Sequence, residues 1–175
     1  MRYCLIFLAI GFLHLSAVAG EIAKPRIEVF KAKRELQFFE GKRLIKTYHI
    51  ALGSNPKRPK EREGDKATPE GSYFICSKNS KSRFYLSLGI SYPGPKDAER
   101  GIKAGVISED ERKAIVEADR TRATPPWNTK LGGEVFVHGR GSKTDWTFGC
   151  IALDDSDMAE LYRLVPVRTP ITIHP

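Results

Sequence analysis

The part of this 175-residue chain best equipped for chemistry runs Val137-His138-Gly139-Arg140-Gly141-Ser142-Lys143-Thr144-Asp145-Trp146-Thr147-Phe148-Gly149-Cys150-Ile151-Ala152-Leu153. It holds an imidazole at the end of an apolar run, a glycine-rich connection, and a thiol directly after a glycine. A thiol is a weak nucleophile until it ionises, and a nearby imidazole or the positive end of a helix favours ionisation. Gly149 would let backbone N–H groups approach a substrate carbonyl, as oxyanion stabilisation requires. Such an arrangement suits nucleophilic chemistry by the Cys150 thiol at a carbonyl, with His138 placed to favour its ionisation and Gly149 to admit backbone donors.

Each residue type also has a plainer use. Cysteine is among the most buried side chains and often only packs, while Gly139 and Gly141 can serve as simple turn residues. His138, Asp145 and Cys150 lack a fourth ligand and any zinc-like spacing, so no metal site is expected. A Cys76–Cys150 disulfide stays open as an alternative, because sequence alone cannot bring two sulfurs together.

The elements that must position these residues are mostly strands. Ile27 and Val29, then Leu36 to Phe39, a turn at Glu40-Gly41, and Leu44 to Ile50 read as a β-meander. Residues 54–71 are charged and proline-broken, which predicts a solvated loop ending in the Thr68-Pro69-Glu70-Gly71 turn. Tyr73 to Ile75 and Phe84 to Leu88 follow as strands. Residues 94–133 have a different character, with a short helix from Asp97 to Lys103. A second helix runs to Arg120, opened by the capping box Ser108-Glu109-Asp110-Glu111. This helical insertion between two strands of one sheet reads either as a lid over the site or as a peripheral excursion. Glu134 to Val137 form a short strand delivering His138, Ser156 to Leu164 a helix that opens just beyond Cys150, and Ile171 to Ile173 a final strand. The expected class is therefore mainly β with a few helices.

The amino terminus, MRYCLIFLAIGFLHLSAVAG, reads as a secretory signal peptide: one Arg, an apolar run from Cys4 to Leu15, and Ala17-Val18-Ala19 as the cleavage site. The apolar run is too short for a retained anchor, so the membrane enters only through this leader. Loss of residues 1–19 leaves 156 residues, removes Cys4 and Arg2, and lowers the formal charge from +8 to +7. The basic balance calls for an anionic neighbour. The Lys and Arg residues follow no nucleic-acid-binding motif, and an exported protein seldom meets nucleic acid, so that partner is set aside.

The ordered combination of motifs resembles the L,D-transpeptidase catalytic domain (YkuD-like) family of bacterial cell-wall enzymes, over about residues 26–175. The supporting pieces are the opening strands, Ala67-Thr68-Pro69-Glu70-Gly71, and Leu86-Ser87-Leu88-Gly89 followed by Tyr92-Pro93. His138-Gly139, Thr147-Phe148-Gly149-Cys150 and Thr169-Pro170-Ile171 complete them. The resemblance implies a β-sandwich or mixed sheet and a thioester acyl-enzyme on Cys150, formed at a diaminopimelate carbonyl of a peptidoglycan stem peptide with His138 as base. It needs no cofactor. A second amine, from another stem or from a lipoprotein that becomes wall-linked, would resolve the thioester. Water in its place would make the enzyme an L,D-carboxypeptidase or amidase, and a catalytically silent wall-binding module is the reading from another class.

Two departures bear on the acceptor. Many family members have His where this chain has Phe148, and Arg where it has Ala152. The run Asp145-Trp146-Thr147-Phe148-Gly149-Cys150-Ile151-Ala152-Leu153 is more similar to a branch that includes hydrolases of peptidoglycan links. Arg140, Lys143 and, more remotely, Arg83 are the candidate replacement cations, with Trp146 as a further substrate-binding candidate. Their plainer reading is as exposed surface side chains.

Overall fold

The computed structural model describes residues 24–175. The expected leader, residues 1–19, lies outside the described residues. Eight strands and three helices follow in the order β1 (Pro25–Phe30), β2 (Glu35–Glu40), β3 (Arg43–His49), β4 (Gly71–Ser82), β5 (Tyr85–Ile90), α1 (Pro95–Lys103), α2 (Glu109–Thr121), β6 (Phe136–His138), β7 (Ile151–Ala152), α3 (Asp155–Leu164) and β8 (Pro170–His174).

The strands make one curled mixed sheet in the order β3-β2-β1-β8-β4-β5-β6-β7. β1–β8 and β6–β7 pair in parallel, and the remaining neighbours are antiparallel. The curl centres on β4, whose first residues, Gly71 to Phe74, pair with β8, whereas Ile75 to Ser82 pair with β5 through register shifts. Such irregularities bend a strand and increase its local twist.

The alternation anticipated for β1 and β2 is present: Ile27, Val29, Leu36 and Phe38 are buried together with Tyr48 and Ile50. Met158, Leu161 and Val165 of the α3 region close over the same core. Val137 and Ile151, adjacent across β6 and β7, are fully buried. Burying an aliphatic side chain of that size stabilises by about 1.5–3 kcal/mol, so this pair anchors the strands that carry the candidate site.

The insertion of residues 94–133 has its own small cluster, built from Ala98, Ile107, Ile115 and Leu131. Ser108 caps α2 reciprocally with Glu111, as its sequence predicts. Buried Asp97 ties the insertion to β4, accepting from the Tyr73 hydroxyl at 3.0 Å and from the Gly94 amide at 2.8 Å. Among the described residues, no helix is long and apolar enough to cross a membrane.

Candidate active site

β6 and β7 place the two residues the sequence singled out. Val137 pairs with Ile151 and His138 with Ala152, in parallel. Paired residues of parallel strands share a face, and side chains alternate along each strand. Val137 and Ile151 point into the core, so His138 and Cys150 project from the opposite face, offset diagonally by one strand and two residues. Standard strand spacing and rise separate their Cα atoms by about 8 Å, within reach of two side chains converging on one substrate atom.

His138 is 2% exposed. Its ring stacks on Phe84 with centroids 4.8 Å apart and meets Trp146 edge-on at 5.6 Å. Nδ1 lies 2.7 Å from the Gly139 carbonyl oxygen. A carbonyl only accepts, so Nδ1 carries the proton and Nε2 keeps the free lone pair of a base. Burial lowers the imidazole pKa below its usual value, with the Gly139 bond opposing, and so keeps the ring neutral.

Cys150 is partly exposed, but its sulfur is turned toward the backbone at the start of β6. Sγ accepts from the Phe136 amide at 3.4 Å and donates toward the Glu134 carbonyl at 3.7 Å. Burial pushes the thiol up to about 11; the Phe136 amide and the positive charge of Lys60 act in the opposite direction, while Glu134 adds to the rise. The expected help from a helix is not seen. β7 separates Cys150 from α3, whose first turn contains Asp155 and Asp157, and the capping-region carboxylates face elsewhere. Asp154 accepts from the Ser142 amide at 3.0 Å and Asp155 from the Arg140 amide at 2.8 Å.

The glycines have defined duties. Gly149 sits at φ 126°, and a Cβ there would come 2.6 Å from the Ala67 carbonyl oxygen. Its amide donates to Thr147 Oγ1 at 3.1 Å, and Thr147 Oγ1 donates to the Cys150 carbonyl at 2.8 Å, which fixes the turn. A Cβ on Gly139 would meet Asp155 Oδ1 at 2.5 Å. Gly139 therefore gives α3 close access to the end of β6.

The remaining named residues divide. Trp146 borders the site, its indole N–H donating to the Gly141 carbonyl at 3.1 Å. Arg83 is exposed and lies over the Phe84 ring at 4.9 Å, the ring that stacks on His138. Arg140 and Lys143 are exposed, and the charge that acts on Cys150 is that of Lys60 rather than theirs. Phe148 is 76% exposed beneath Lys66, whose ammonium lies 5.6 Å from the ring centre. Ala152 is fully buried and bridged to Ala51, so that position has no room for an arginine. Cys76 and Cys150 are both free thiols, which closes the disulfide alternative. Among the described residues, no cluster of three or more His, Cys, Asp or Glu is placed to hold a metal ion.

The loop of residues 54–70 departs from its expected solvation. Lys60 is 4% exposed, and Ala67, Thr68 and Pro69 are buried. Asp65 organises the loop by accepting from Lys60 Nζ at 3.0 Å and from the amides of Glu61, Arg62 and Ala67. Composition hid this, since nothing in the run distinguishes Lys60 from Lys57, Arg58 or Arg62. The aromatic wall also eluded the sequence: Phe84 backs His138, and Trp127 of the insertion packs edge-on against Phe136 at 5.6 Å.

Residues 24–173 match the family model described as the L,D-transpeptidase catalytic domain, YkuD. The chain belongs to the YkuD family. Among curated proteins it is similar to YafK of Escherichia coli (strain K12), 33% identical over 81 residues that make up 43% of this chain and 33% of YafK. Solved structures agree at the level of fold. Bdellovibrio bacteriovorus Bd1075 superposes with a TM-score of 0.57 at 20% identity, over 87% of this chain and 48% of that one. The helical cell shape determining protein Pgp2 from Campylobacter jejuni gives 0.54 at 18% identity, over 87% and 50%. The chain thus spans about a third to a half of the length of these proteins.

Proposed function

We propose that this YkuD chain is an exported cysteine acyltransferase acting on peptidoglycan stem peptides in the periplasm or cell envelope. Residues 1–19 would be removed as a signal peptide, residues 26–175 form the catalytic domain, and residues 94–133 act as a lid. One observation carries this reading: Cys150 shares a sheet face with a His138 whose Nδ1 is occupied by the Gly139 carbonyl, leaving Nε2 as a base.

The pair rests as neutral thiol and neutral imidazole. Attack begins when the S–H swings from the Glu134 carbonyl to His138 Nε2, which takes the proton as sulfur bonds to the diaminopimelate carbonyl carbon. Since the Gly149 amide is held by Thr147, the Cys150 amide is the nearest donor to the oxyanion. Collapse breaks the C–N bond, and the departing amine takes the proton from His138. The resulting thioester is attacked by an acceptor amine, whose proton passes to His138 and then to the Cys150 sulfur. The free-thiol state of Cys150 supports this route over a silent wall-binding module.

The hydrolase reading stays beside it on a specific ground. Buried Ala152 and exposed Phe148 stand where many relatives have Arg and His, which is the pattern of the D-W-T-x-G-C-I-A branch. An acceptor side lacking that cation favours water over a carboxylate-bearing amine, and a wall-linked lipoprotein is then a substrate to be released rather than attached. Product analysis with and without an added amine decides. The amine appearing in the product establishes transfer; free tripeptide or released lipoprotein at every amine concentration establishes hydrolysis.

A further inference from the structure

The loop of residues 54–70 is anchored on both sides of Cys150. On one side the Ala67 carbonyl abuts Gly149, so closely that only a glycine fits there. On the other, the Glu63 amide donates to the Lys130 carbonyl at 2.9 Å, and Glu63 packs on Gly132 two residues before Glu134, whose carbonyl faces the thiol. Lys60 is the buried lysine of this anchored loop. Its ammonium is held by Asp65 and by the Arg62 carbonyl, each at 3.0 Å, and lies 5.9 Å from the ring of fully buried Tyr92. Tyr92 in turn donates to the Leu131 carbonyl at 3.1 Å.

A lysine almost never becomes fully buried unless it is paired, and burial in an apolar slot is costly even then. The loop already has a buried structural anchor in Lys31, which pairs with Glu70 at 2.6 Å and donates to the Arg58 and Thr68 carbonyls, so a second buried lysine points to a use of its charge. The charged and titratable groups around Cys150 are Lys60 from the loop, Glu134 ahead of β6 and His138 at its end, with Lys66 over Phe148. Of these, Lys60 is the buried cation.

We propose that Lys60 is a positioning residue for Cys150: its ammonium, locked by Asp65 within the anchored loop, presents a fixed positive charge that stabilises negative charge on the sulfur. The same carboxylate receives the Ala67 amide and so holds the turn against Gly149. This role rests on the reading of Cys150 as the nucleophile, but its test does not depend on turnover.

The rate of alkylation by iodoacetamide is measured against pH on the full chain and read at Cys150 by peptide mass, since only the thiolate reacts. Lys60→Gln keeps hydrogen-bond donors for Asp65 and the Arg62 carbonyl but removes the charge. It should slow alkylation at pH 7.5 about tenfold and move the curve up by about one pH unit, the size of shift a neighbouring charge commonly produces. Asp65→Asn leaves the Lys60 charge unneutralised and should move the curve the other way. Should Lys60→Gln fail to fold, Lys60→Met is read in its place. An unchanged curve in the folded charge-free variant overturns the proposal, as does a shift of the same sign in the Lys60 and Asp65 variants, which marks a purely structural role. If instead Cys150→Ala is fully active while Lys60→Gln still shifts the curve, the enzymatic reading fails and the Lys60 assignment stands.

Discussion

Replacing His138 with Gln separates the proposed base from the thiol it serves. Gln can still donate to the Gly139 carbonyl and fill the slot beside Phe84, but it has no lone pair of comparable basicity to take the thiol proton. With the Cys150 thiol pushed up to about 11, only about one molecule in 3,000 carries a thiolate at pH 7.5. The variant must work through that fraction alone. Loss of a general base costs about 10²–10⁴ in rate, and this thiolate fraction falls inside that range. Single-turnover acylation by excess stem tetrapeptide, quenched and followed by intact mass, gives the rate at each pH. The wild type should rise through the depressed His138 pKa, below 6.5, and then stay level across neutral pH. His138→Gln should be about a thousandfold slower at pH 7.5 and recover about tenfold per pH unit up to pH 10. A variant with a level profile, or with near-wild-type rate at pH 7.5, refutes the neutral-pair account.

Three further outcomes follow from the geometry. Gly149→Ala forces a Cβ to 2.6 Å from the Ala67 carbonyl at a φ of 126°, and should cost about 1–3 kcal/mol, read as a fall in Tm together with slower thiol alkylation. Trp146→Ala removes the edge-on cover of His138, worth about 0.5–1.5 kcal/mol, and admits water; the acid limb of the acylation profile should move up toward pH 6.5. An unmoved limb contradicts the burial argument. Finally, folding holds His138 below its unfolded pKa, so the unfolded chain binds the extra proton. This part of the stability should be complete above pH 6.5 and be lost as pH falls below it, giving a decline in Tm that His138→Gln abolishes.

The sequence carried the frame of the fold because its signals were local. Alternation in β1 and β2, the Ser108 capping box and the helical spacing of Met158 and Leu161 each matched an observed element. β7 escaped because two residues are too few to show a period, and its existence depends on pairing with β6. That omission let α3 be placed directly behind Cys150, which is why a helix terminus was expected to act on the thiol. Cys150 and His138 stood out as candidates by residue type and motif, but the histidine's tautomer depends on a carbonyl position that only the turn at Gly139 sets. Lys60 was invisible for a similar reason: its burial arises from one carboxylate, Asp65, gathering three amides and an ammonium from a run that reads as uniformly charged. The cations nearest the thiol in sequence, Arg140 and Lys143, instead project to solvent.

Everything proposed for this site turns on acylation of Cys150 by a stem peptide. Incubating the protein with stem tetrapeptide, quenching in acid and mapping the modified peptide tests it most directly. A thioester-linked tripeptide acyl group is expected on Cys150 alone, absent in Cys150→Ala and removed by hydroxylamine. A Cys150→Ala protein that still turns over the tetrapeptide, or an adduct on any other residue, contradicts it.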